Sequence, residues 1–452
     1  MKIIIAGAGK VGFTIAQRLC QEGHDITLID TQREPLENAS NAMDVMGLCG
    51  SCASPATLND AEIGTADVYI AATGNDEANL VSCQFARKMG ARHTIARLRR
   101  QEYLDSSKEL REIMDLSLTI NPDYVTAEEI SRVLQLPTAT QVDSFPDCEL
   151  EIVTFRVPEG SLLGGVALSR LPSLFKQKVL ICAASHEGKV FIPDGNFVLS
   201  AGDSIAVTAQ PETLRKFFIA AGAYQKPVKN TIILGGSRIA EYLTQLLEST
   251  GVNVTIIENK RERCEELAER LRTADIVFAD GADTTVLTQC GIQEADGFVA
   301  LTNLDEENII LSMYAHKSGV EKVVSKINND KFIDLLHDVF PDTTLSPKNL
   351  VSQRIEGYVR GLAHADDIST IEALYYLGSQ NITATEFVVG ARAACVGKTL
   401  MELRLKPGVL ICAVVRAGRS FLPDGKTSLL PGDRAIVVSE GRSILKLDDI
   451  LA

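Results

Sequence analysis

The chain has 452 residues, of which 45% are hydrophobic and 23% charged, and its formal net charge is −14. These are ordinary globular values, which exclude a mainly disordered chain and a small disulfide scaffold, and the length predicts roughly three domains. A chain this acidic is also a poor candidate for binding the DNA or RNA backbone, and an anionic membrane surface would repel it.

The apolar runs of the sequence are short. Ile3–Ala6 and Val68–Ala72 are strand-sized, whereas a transmembrane helix needs about 20 apolar residues in a row. The N-terminal run passes straight into Gly7, so no signal peptide is expected, and the ten cysteines are expected to be reduced, cytosolic thiols. Cys49 and Cys52 have the spacing of a redox or metal motif, although a buried strand end or a ligand loop would explain them too.

Strands and helices alternate over the first 140 residues. Lys2–Ala6 predicts a strand, and Val11, Ile15 and Leu19 then recur every four residues, as on one face of a helix. The remaining elements predicted here are strands at Ile26–Ile29, Val45–Leu48, Val68–Ala72, Thr94–Ala96 and Leu118–Ile120, and a helix from about Asp123 to Leu134. This alternation is typical of a parallel sheet with helices on both faces.

The next segment, 141–222, is smaller and richer in β-structure. The runs Val179–Ala183 and Val190–Ile192 flank His186-Glu-Gly-Lys, which predicts a hairpin. Ile192-Pro-Asp-Gly195 predicts a turn, with Gly195 in a left-handed conformation. Few large apolar residues follow until 230, so 223–229 is the expected linker.

Most of this order then occurs a second time. The matched pairs are Ile5–Gly12 with Ile233–Ala240 and Asp25–Asp30 with Asn253–Glu258, both at an offset of 228, Ala71–Asn79 with Ala300–Asn308 at 229, and Phe191–Gly195 with Phe421–Gly425 at 230. So small a drift indicates tandem duplication of a whole module. The predicted fold is α/β, with two tandem Rossmann-like parallel-sheet domains, each followed by a small α+β domain. The predicted boundaries are 1–140, 141–222, 230–365 and 366–452.

The segment Gly7-Ala-Gly9-Lys-Val-Gly12 has the GxGxxG spacing. It follows a predicted strand, opens a helix, and is trailed by Asp30 at the end of the next strand, which is the context of a dinucleotide-binding fingerprint. Gly7 would make the tight turn, Gly9 would admit the pyrophosphate and Gly12 would allow close packing of helix on strand. Asp30 would accept hydrogen bonds from ribose hydroxyls and disfavour a 2′-phosphate, so NAD(H) is preferred to NADP(H). A turn that only packs helix on strand is the alternative.

The second copy of this motif is altered. Ser237 replaces the middle glycine and Ala240 the third, while Glu258 keeps the acid. Alanine is a known substitute at the third position, but a side chain at the second lies where the ligand should come close. The second site is therefore expected to bind a nucleotide more weakly or differently.

The duplicated glycine motif, the Thr73–Asn79 stretch and the small trailing domains together resemble the TrkA family. That family comprises the NAD-binding regulatory subunits of Trk potassium-uptake systems, built from two tandem RCK (also called KTN) domains, and the resemblance spans the whole chain. The ligand contacts that it implies, with their counterparts in the second half, are Gly7, Ala8, Gly9, Lys10, Val11, Gly12, Asp30, Ser51, Cys52, Thr73, Gly74, Arg97, Gly235, Gly236, Ser237, Arg238, Ile239, Glu258 and Thr302.

Some of these positions depart from the family pattern. Ser51 stands where the family usually has Asp, and the second half keeps Asp280 there. Arg97 resembles a phosphate-facing arginine and its counterpart is Lys326, which keeps the charge but not the bidentate fork; a solvated surface charge is the alternative for Arg97. Asp194 and Asp424 are interpreted as turn residues.

The resemblance implies a cytoplasmic, non-enzymatic subunit held at the membrane by a Trk-type potassium channel partner. Its ligands would be NAD(H), with ATP or ADP as further candidates for the same cleft, and four chains would form a ring. Two alternatives remain, an NAD-dependent oxidoreductase and a regulator of a potassium/proton antiporter. No metal or acid–base role is expected of the histidines, none of which repeats at the duplication offset: His24, His93, His186, His316, His337 and His364.

Overall fold

The computed structural model describes residues 1–145, 148–187, 189–329, 331–332, 342–363, 371–377, 382–440, 444 and 446–452. His337, His364 and the predicted boundary between 365 and 366 lie outside these ranges.

The first 140 residues form a six-stranded parallel sheet. Its strands are β1 (Lys2–Ala6), β2 (Asp25–Asp30), β3 (Met46–Cys49), β4 (Val68–Ala71), β5 (His93–Arg97) and β6 (Leu118–Ile120), in the order β3-β2-β1-β4-β5-β6. The helices are α1 (Lys10–Gln21), α2 (Arg33–Ala42), α3 (Pro55–Asp60), α4 (Asp76–Lys88), α5 (Gln101–Asp105), α6 (Ser107–Ile113) and α7 (Pro122–Gln135). The predicted doubly wound sheet is confirmed. Two of the six strands were predicted with their observed ends, and the other four differ from the observed ones by one residue at one or both ends.

A five-stranded antiparallel sheet follows. Its strands are β7 (Gln141–Ser144), β8 (Glu151–Arg156), β9 (Leu180–His186), β10 (Lys189–Phe191) and β11 (Ser204–Ala209), in the order β10-β9-β11-β8-β7, with helices α8 (Leu171–Leu174) and α9 (Pro211–Ala221). The predicted hairpin is present, since Lys189 pairs with His186. The left-handed glycine predicted in the following turn was wrong: Gly195 is not among the positive-φ residues, and the Asp194 carboxylate, which accepts the Asn196 N–H at 2.8 Å, shapes the turn instead.

The second half repeats both sheets. Its parallel strands are β12 (Asn230–Leu234), β13 (Asn253–Glu258), β14 (Asp275–Phe278), β15 (Gly297–Ala300), β16 (Lys322–Lys326) and β17 (Thr343–Leu345), in the order β14-β13-β12-β15-β16-β17. Its antiparallel strands are β18 (Ile371–Tyr376), β19 (Ile382–Val388), β20 (Val409–Arg416), β21 (Arg419–Phe421) and β22 (Arg434–Glu440), in the order β18-β19-β22-β20-β21. The described helices are α10 (Arg238–Glu248), α11 (Arg261–Arg270), α12 (Thr284–Gln289), α13 (Asp305–Lys317) and α14 (Pro347–Ala363).

The two halves exchange helices. Asn121 caps α7 and Pro122 opens it, and four of its residues, Ala127, Ile130, Val133 and Leu134, then lie in the apolar core of the second parallel sheet. In return, α14 places Val351, Ile355 and Val359 in the core of the first sheet. Each helix therefore buries its apolar face against the other half, which brings the carboxyl edges of the two sheets close together.

The antiparallel sheets also meet. Ile152, Cys182 and Ala206 of the first sheet share one buried cluster with Ala384, Cys412 and Ile436 of the second. None of the helices in the described residues has the length and hydropathy of a membrane span.

Candidate functional site

A cleft of about 840 Å³ opens at the carboxyl edge of the first parallel sheet. Edges of this kind are where doubly wound sheets bind ligands. Ten of the contacts predicted in the first half line the cleft: Gly7, Gly9, Lys10, Val11, Asp30, Ser51, Cys52, Thr73, Gly74 and Arg97.

The glycine loop is shaped by close packing. Gly7 has φ +99°, and a Cβ there would lie 3.0 Å from the Ala72 carbonyl. A Cβ on Gly12 would lie 1.8 Å from the Gly7 oxygen, so Gly12 packs against the loop rather than lining the cleft. At Gly9 a Cβ would meet nothing within 4 Å, because that position faces open space. The loop therefore needs glycine for two steric reasons and leaves room for a ligand at the third position.

Asp30 fixes the loop from the end of β2. One carboxylate oxygen accepts the Ala8 N–H at 2.7 Å and the other accepts the Gln32 N–H at 2.9 Å. Ala8 thus shapes the site through its backbone instead of lining the cleft. A carboxylate oxygen has two lone pairs, so each oxygen can still accept a bond from a ribose hydroxyl.

The N-terminus of α1 is suited to a phosphate. Gly9 offers no side-chain cap and the first turn carries no acidic residue. The N–H groups of that turn therefore remain available, and the helix dipole favours an anion there.

Arg97 lies half-buried at the end of β5. Its Nη1 donates to the Thr73 carbonyl at 2.9 Å, and its Nε is buried without a hydrogen-bond partner among the described residues. Burial lowers the pKa of this guanidinium, and the neighbouring Arg99 lowers it further. Such an environment is not that of a solvated surface charge, and a buried donor without a partner is costly until an acceptor arrives.

The sequence did not predict that the second half closes the first cleft. The lining residues from the second half are Ile239, Asn303, Lys326, Asn328, Pro347 and Lys348, and the first half also contributes Arg99 and Asp123. Ile239 was predicted at the second site, but α10 packs on α7, so this residue lines the first cleft instead. Motif spacing assigns every residue to its own half and cannot show that residues of one half line the cleft of the other. The one hint was Lys326, as the counterpart of Arg97.

A second cleft of about 530 Å³ lies at the edge of the second sheet. The predicted residues that line it are Gly235, Gly236, Ser237, Arg238, Glu258 and Thr302, together with Asp280. Glu258 repeats the role of Asp30, because its two oxygens accept the Gly236 N–H at 2.7 Å and the Lys260 N–H at 2.8 Å.

The second cleft differs at the phosphate end. The Ser237 Oγ accepts the Ala240 N–H at 3.3 Å, so the side chain caps α10 and uses one of the donors that a phosphate would need. Glu307 also lines this cleft, where the first has Ala78. The two clefts thus share a backbone arrangement, but the side chains that would meet the ligand differ.

The two cysteines of the CxxC segment contact different parts of the protein. The Cys49 thiol is exposed and donates to the Thr31 carbonyl at 3.6 Å, whereas Cys52 packs in the core beside Tyr69, where burial raises the pKa of its thiol. No group of three or more metal-binding side chains is found within the part of the chain that the structure describes.

The fold and the paired clefts define a tandem, Rossmann-like nucleotide-binding protein. The TrkA-N domain matches residues 3–122 and 231–347, and the TrkA-C domain matches 152–219 and 384–452. The chain therefore belongs to the TrkA family. It is 31% identical to the Trk system potassium uptake protein TrkA homolog of Archaeoglobus fulgidus, with 100% of each chain covered. It is 29% identical to the Trk system potassium uptake protein TrkA of Vibrio alginolyticus, over 97% of this chain and 95% of the other.

Solved structures share the fold. The GsuK RCK domain superposes with a TM-score of 0.64 at 18% identity, covering 97% of this chain and 92% of that one. The GsuK channel bound to NAD gives a TM-score of 0.63 at 19% identity, covering 97% of this chain and 76% of that one. At these identities the likeness shows the RCK fold alone.

Proposed function

We propose that this chain is the nucleotide-sensing regulatory subunit of a Trk-type potassium-uptake system, binding NAD(H) and controlling a membrane channel partner. Membership of the TrkA family and the names of its relatives support this function. The observation that carries it is the composite first cleft, because its wall includes Lys326, Asn328 and Lys348 from the second half. A ligand there would contact both halves at once.

The residues of the first cleft fit a dinucleotide. The α1 N-terminus and Lys10 would hold the pyrophosphate, and Asp30 would hold a ribose. Thr73, Gly74 and Arg97 would line the far portion of the ligand, with the second half closing over it. Since a ligand shifts an equilibrium only by binding one state better than another, contacts from both halves would favour the conformation that brings the halves together.

The charge of the first cleft also fits ATP or ADP. Its charged lining consists of five cations, Lys10, Arg97, Arg99, Lys326 and Lys348, and two carboxylates, Asp30 and Asp123. Asp123 is already paired with Arg99, whose Nε lies 3.0 Å from its Oδ2. A solved GsuK structure of related fold is described as bound to ADP (TM-score 0.51, 14% identity, 81% of this chain and 70% of that one). Competition between NADH and ATP for one site tests this ligand range.

The partner is proposed to be the channel subunit, through which potassium would pass. The chain would then be cytoplasmic and peripheral to the membrane, and four chains would form a ring. Co-purification of the full chain from membranes, followed by potassium flux of the complex with and without NADH or ATP, tests the proposal. Capture of a Trk-type channel with a nucleotide-dependent flux supports it, and capture of a potassium/proton antiporter supports the alternative partner.

A non-enzymatic role is part of the proposal. Purified protein is expected to oxidise NADH with small-molecule acceptors no faster than background. Saturable turnover would contradict this and would favour an NAD-dependent oxidoreductase.

A further inference from the structure

Strand β16 belongs to the second half, but both of its ends reach the first half. One end contacts a residue of the first half, and the other end lines the first cleft. It begins at Lys322 and ends at Lys326, and these side chains are 1% and 7% exposed. Five residues of extended chain span about 13 Å. One strand therefore runs from the first nucleotide cleft to a different part of the first half.

At the far end from the cleft, the Lys322 ammonium is held by three acceptors. Its Nζ donates to the Ala139 carbonyl at 2.8 Å, to Asp342 Oδ1 at 2.6 Å and to Thr343 Oγ1 at 2.9 Å. An ammonium has three donors, so the set is complete. Ala139 belongs to the first half, so this is a cross-half contact in a fully buried position.

Ala139 lies where the first trailing domain begins. It follows the end of α7, it is buried in the core of the first antiparallel sheet, and β7 starts two residues later. Next to it, the Thr138 Oγ1 donates to the Ala223 carbonyl at 3.2 Å and accepts the Gln225 N–H at 3.0 Å, which ties the segment to the linker between the halves. We name residues 136–140 the junction. A shift of Lys322 would move the junction and, with it, the trailing domain.

At the cleft end, Lys326 lines the site, and its ammonium has N–H donors that no described residue accepts. Among the described residues its Nζ donates to one acceptor, the Leu301 carbonyl at 3.3 Å. Burial lowers the pKa of this ammonium, and Lys10 and Arg99 lower it further against the opposing effect of Asp305 and Asp123. An anionic group in the cleft would supply the missing acceptor and offset the crowding of like charges.

The corresponding strand of the first half is built differently. In β5 the equivalent of Lys322 is His93, and its Nδ1 lies 3.5 Å from the Ser117 Oγ of the same half. The duplication therefore retains the strand and gives the two copies different contacts at this end.

We propose that β16 is a coupling strut: Lys326 binds a phosphate of the nucleotide in the first cleft, and Lys322 transmits the resulting displacement to the junction. This rests on the proposed function, which supplies the nucleotide. Lys322 is a positioning residue here, because it acts on the trailing domain without contacting the ligand.

Hydrogen exchange of the full-length protein, with and without saturating NADH, tests the coupling. In the wild type NADH should slow exchange in residues 7–12 and also in 136–144, the latter by about 5-fold or more, the lower end of typical allosteric coupling. Lys322→Met should keep the protection of 7–12 while losing the protection of 136–144, and its NADH affinity should change by about the coupling factor, roughly 5-fold, rather than be abolished. The matched control is His93→Met, which changes the corresponding position and should leave both regions protected.

The outcomes separate the strut from the proposed function. If NADH protects 7–12 in the wild type but leaves 136–144 unchanged, or if Lys322→Met keeps both protections, the strut is wrong and the nucleotide site stands. If NADH protects neither region, both proposals fall. A merely structural Lys322 would raise exchange equally in the presence and absence of NADH. Should Lys322→Met fail to fold, Thr343→Val removes one acceptor of the ammonium and should weaken the protection of 136–144 in the same direction.

Discussion

The two nucleotide clefts share one backbone plan and differ in their walls. Asp30 and Glu258 each bind two backbone N–H groups at 2.7–2.9 Å, so the loop that would hold a ribose is the same in both. The first cleft, however, has five cations against two carboxylates. The charged lining of the second consists of three cations, Arg238, Lys260 and Arg263, and three carboxylates, Glu258, Asp280 and Glu307. Duplication therefore preserved the part that the fold imposes and left the ligand chemistry free to diverge.

The interfaces of the two exchanged helices also differ in their side-chain chemistry, although the helices occupy equivalent places in the two halves. At the α7 interface, Tyr124 and Tyr242 stack edge to face at 5.8 Å, and the Tyr242 hydroxyl donates to the Arg99 carbonyl at 3.1 Å. At the α14 interface, Arg360 binds both Glu356 of its own helix and Glu22 of the first half. Burial raises the pKa of Glu22, but hydrogen bonds from neighbours that include His24 and Arg360 outweigh it and lower the pKa to about 2.

The largest expected effect is on this ionic interface. Arg360→Met removes a buried guanidinium that is 4% exposed and that binds both Glu356 and Glu22, which then keep only Arg18 and His24 as the other cationic groups beside them in the described residues. Breaking such a cluster costs about 3–5 kcal/mol in the free energy of unfolding. Urea unfolding of the full chain measures it. The matched control is Arg354→Met on the same helix, whose pair with Glu128 is 45% exposed at the arginine and contributes about 0–1 kcal/mol. If both variants lost the same free energy of unfolding, burial of the arginine would not determine how much its ion pairs stabilise the protein.

The second effect is on ligand affinity. Asp30→Ala should weaken NADH binding by about 1.5–3 kcal/mol, because hydrogen bonds to a charged acceptor are lost, and Glu258→Ala should leave the tight site unchanged. Titration calorimetry of both variants measures the difference. Unchanged affinity in Asp30→Ala would remove the ribose role from this carboxylate.

A smaller effect is expected from making the second cleft resemble the first. Ser237→Gly combined with Glu307→Ala frees a helix donor and removes a carboxylate from the wall. The gain should be about 1 kcal/mol in NADH affinity at the second site, typical of charges at a helix N-terminus. Titration calorimetry measures the number of NADH molecules bound and the affinity of the second site, with the single substitutions as controls. A double variant whose second site is no tighter than that of the wild type would mean that other features separate the clefts.

The smallest effect concerns a pair in the trailing domains. His186 Nδ1 lies 2.6 Å from Asp203 Oδ1, and the counterpart pair is Arg416 with Asp433 at 2.6 Å. The hydrogen bond from His186 to Asp203 raises the pKa of the imidazole. Because the folded-state pKa is raised, the stabilisation is complete below the unfolded value of about 6.5 and is lost as the pH rises through the folded-state pKa.

His186→Arg should remove this pH dependence, since arginine stays charged, and Arg416→His should introduce it in the second trailing domain. Unfolding midpoints between pH 5 and 9 measure both. The pair has no such role if wild type and His186→Arg lose stability in parallel over this range.

Local patterns predicted the elements well where the chain is repetitive and apolar. Val11, Ile15 and Leu19 place α1, and the strands at Lys2–Ala6 and Leu118–Ile120 were predicted with their observed ends. The turn at Gly195 was predicted with the wrong mechanism, because a hydrogen bond from the Asn196 N–H to the Asp194 carboxylate shapes it in place of the backbone freedom of glycine. The domain boundaries and the ligand contacts themselves remain predictions.

The sequence by itself determined the duplication, the two parallel sheets and the glycine loop beside Asp30. The sheets and the loop depend on spacing within about 30 residues, which periodicity and turn chemistry can report, and the duplication shows as matched segments at an offset of 228–230. Only the tertiary structure decided that α7 and α14 change places, that Lys326 and Lys348 of the second half face the first cleft, and that Lys322 binds Ala139. The Lys322–Ala139 contact joins residues 183 positions apart, and α7 and α14 pack in the apolar core of the opposite half. Patterns within one half cannot report such contacts, because they form only where the fold brings distant apolar faces together and removes them from water.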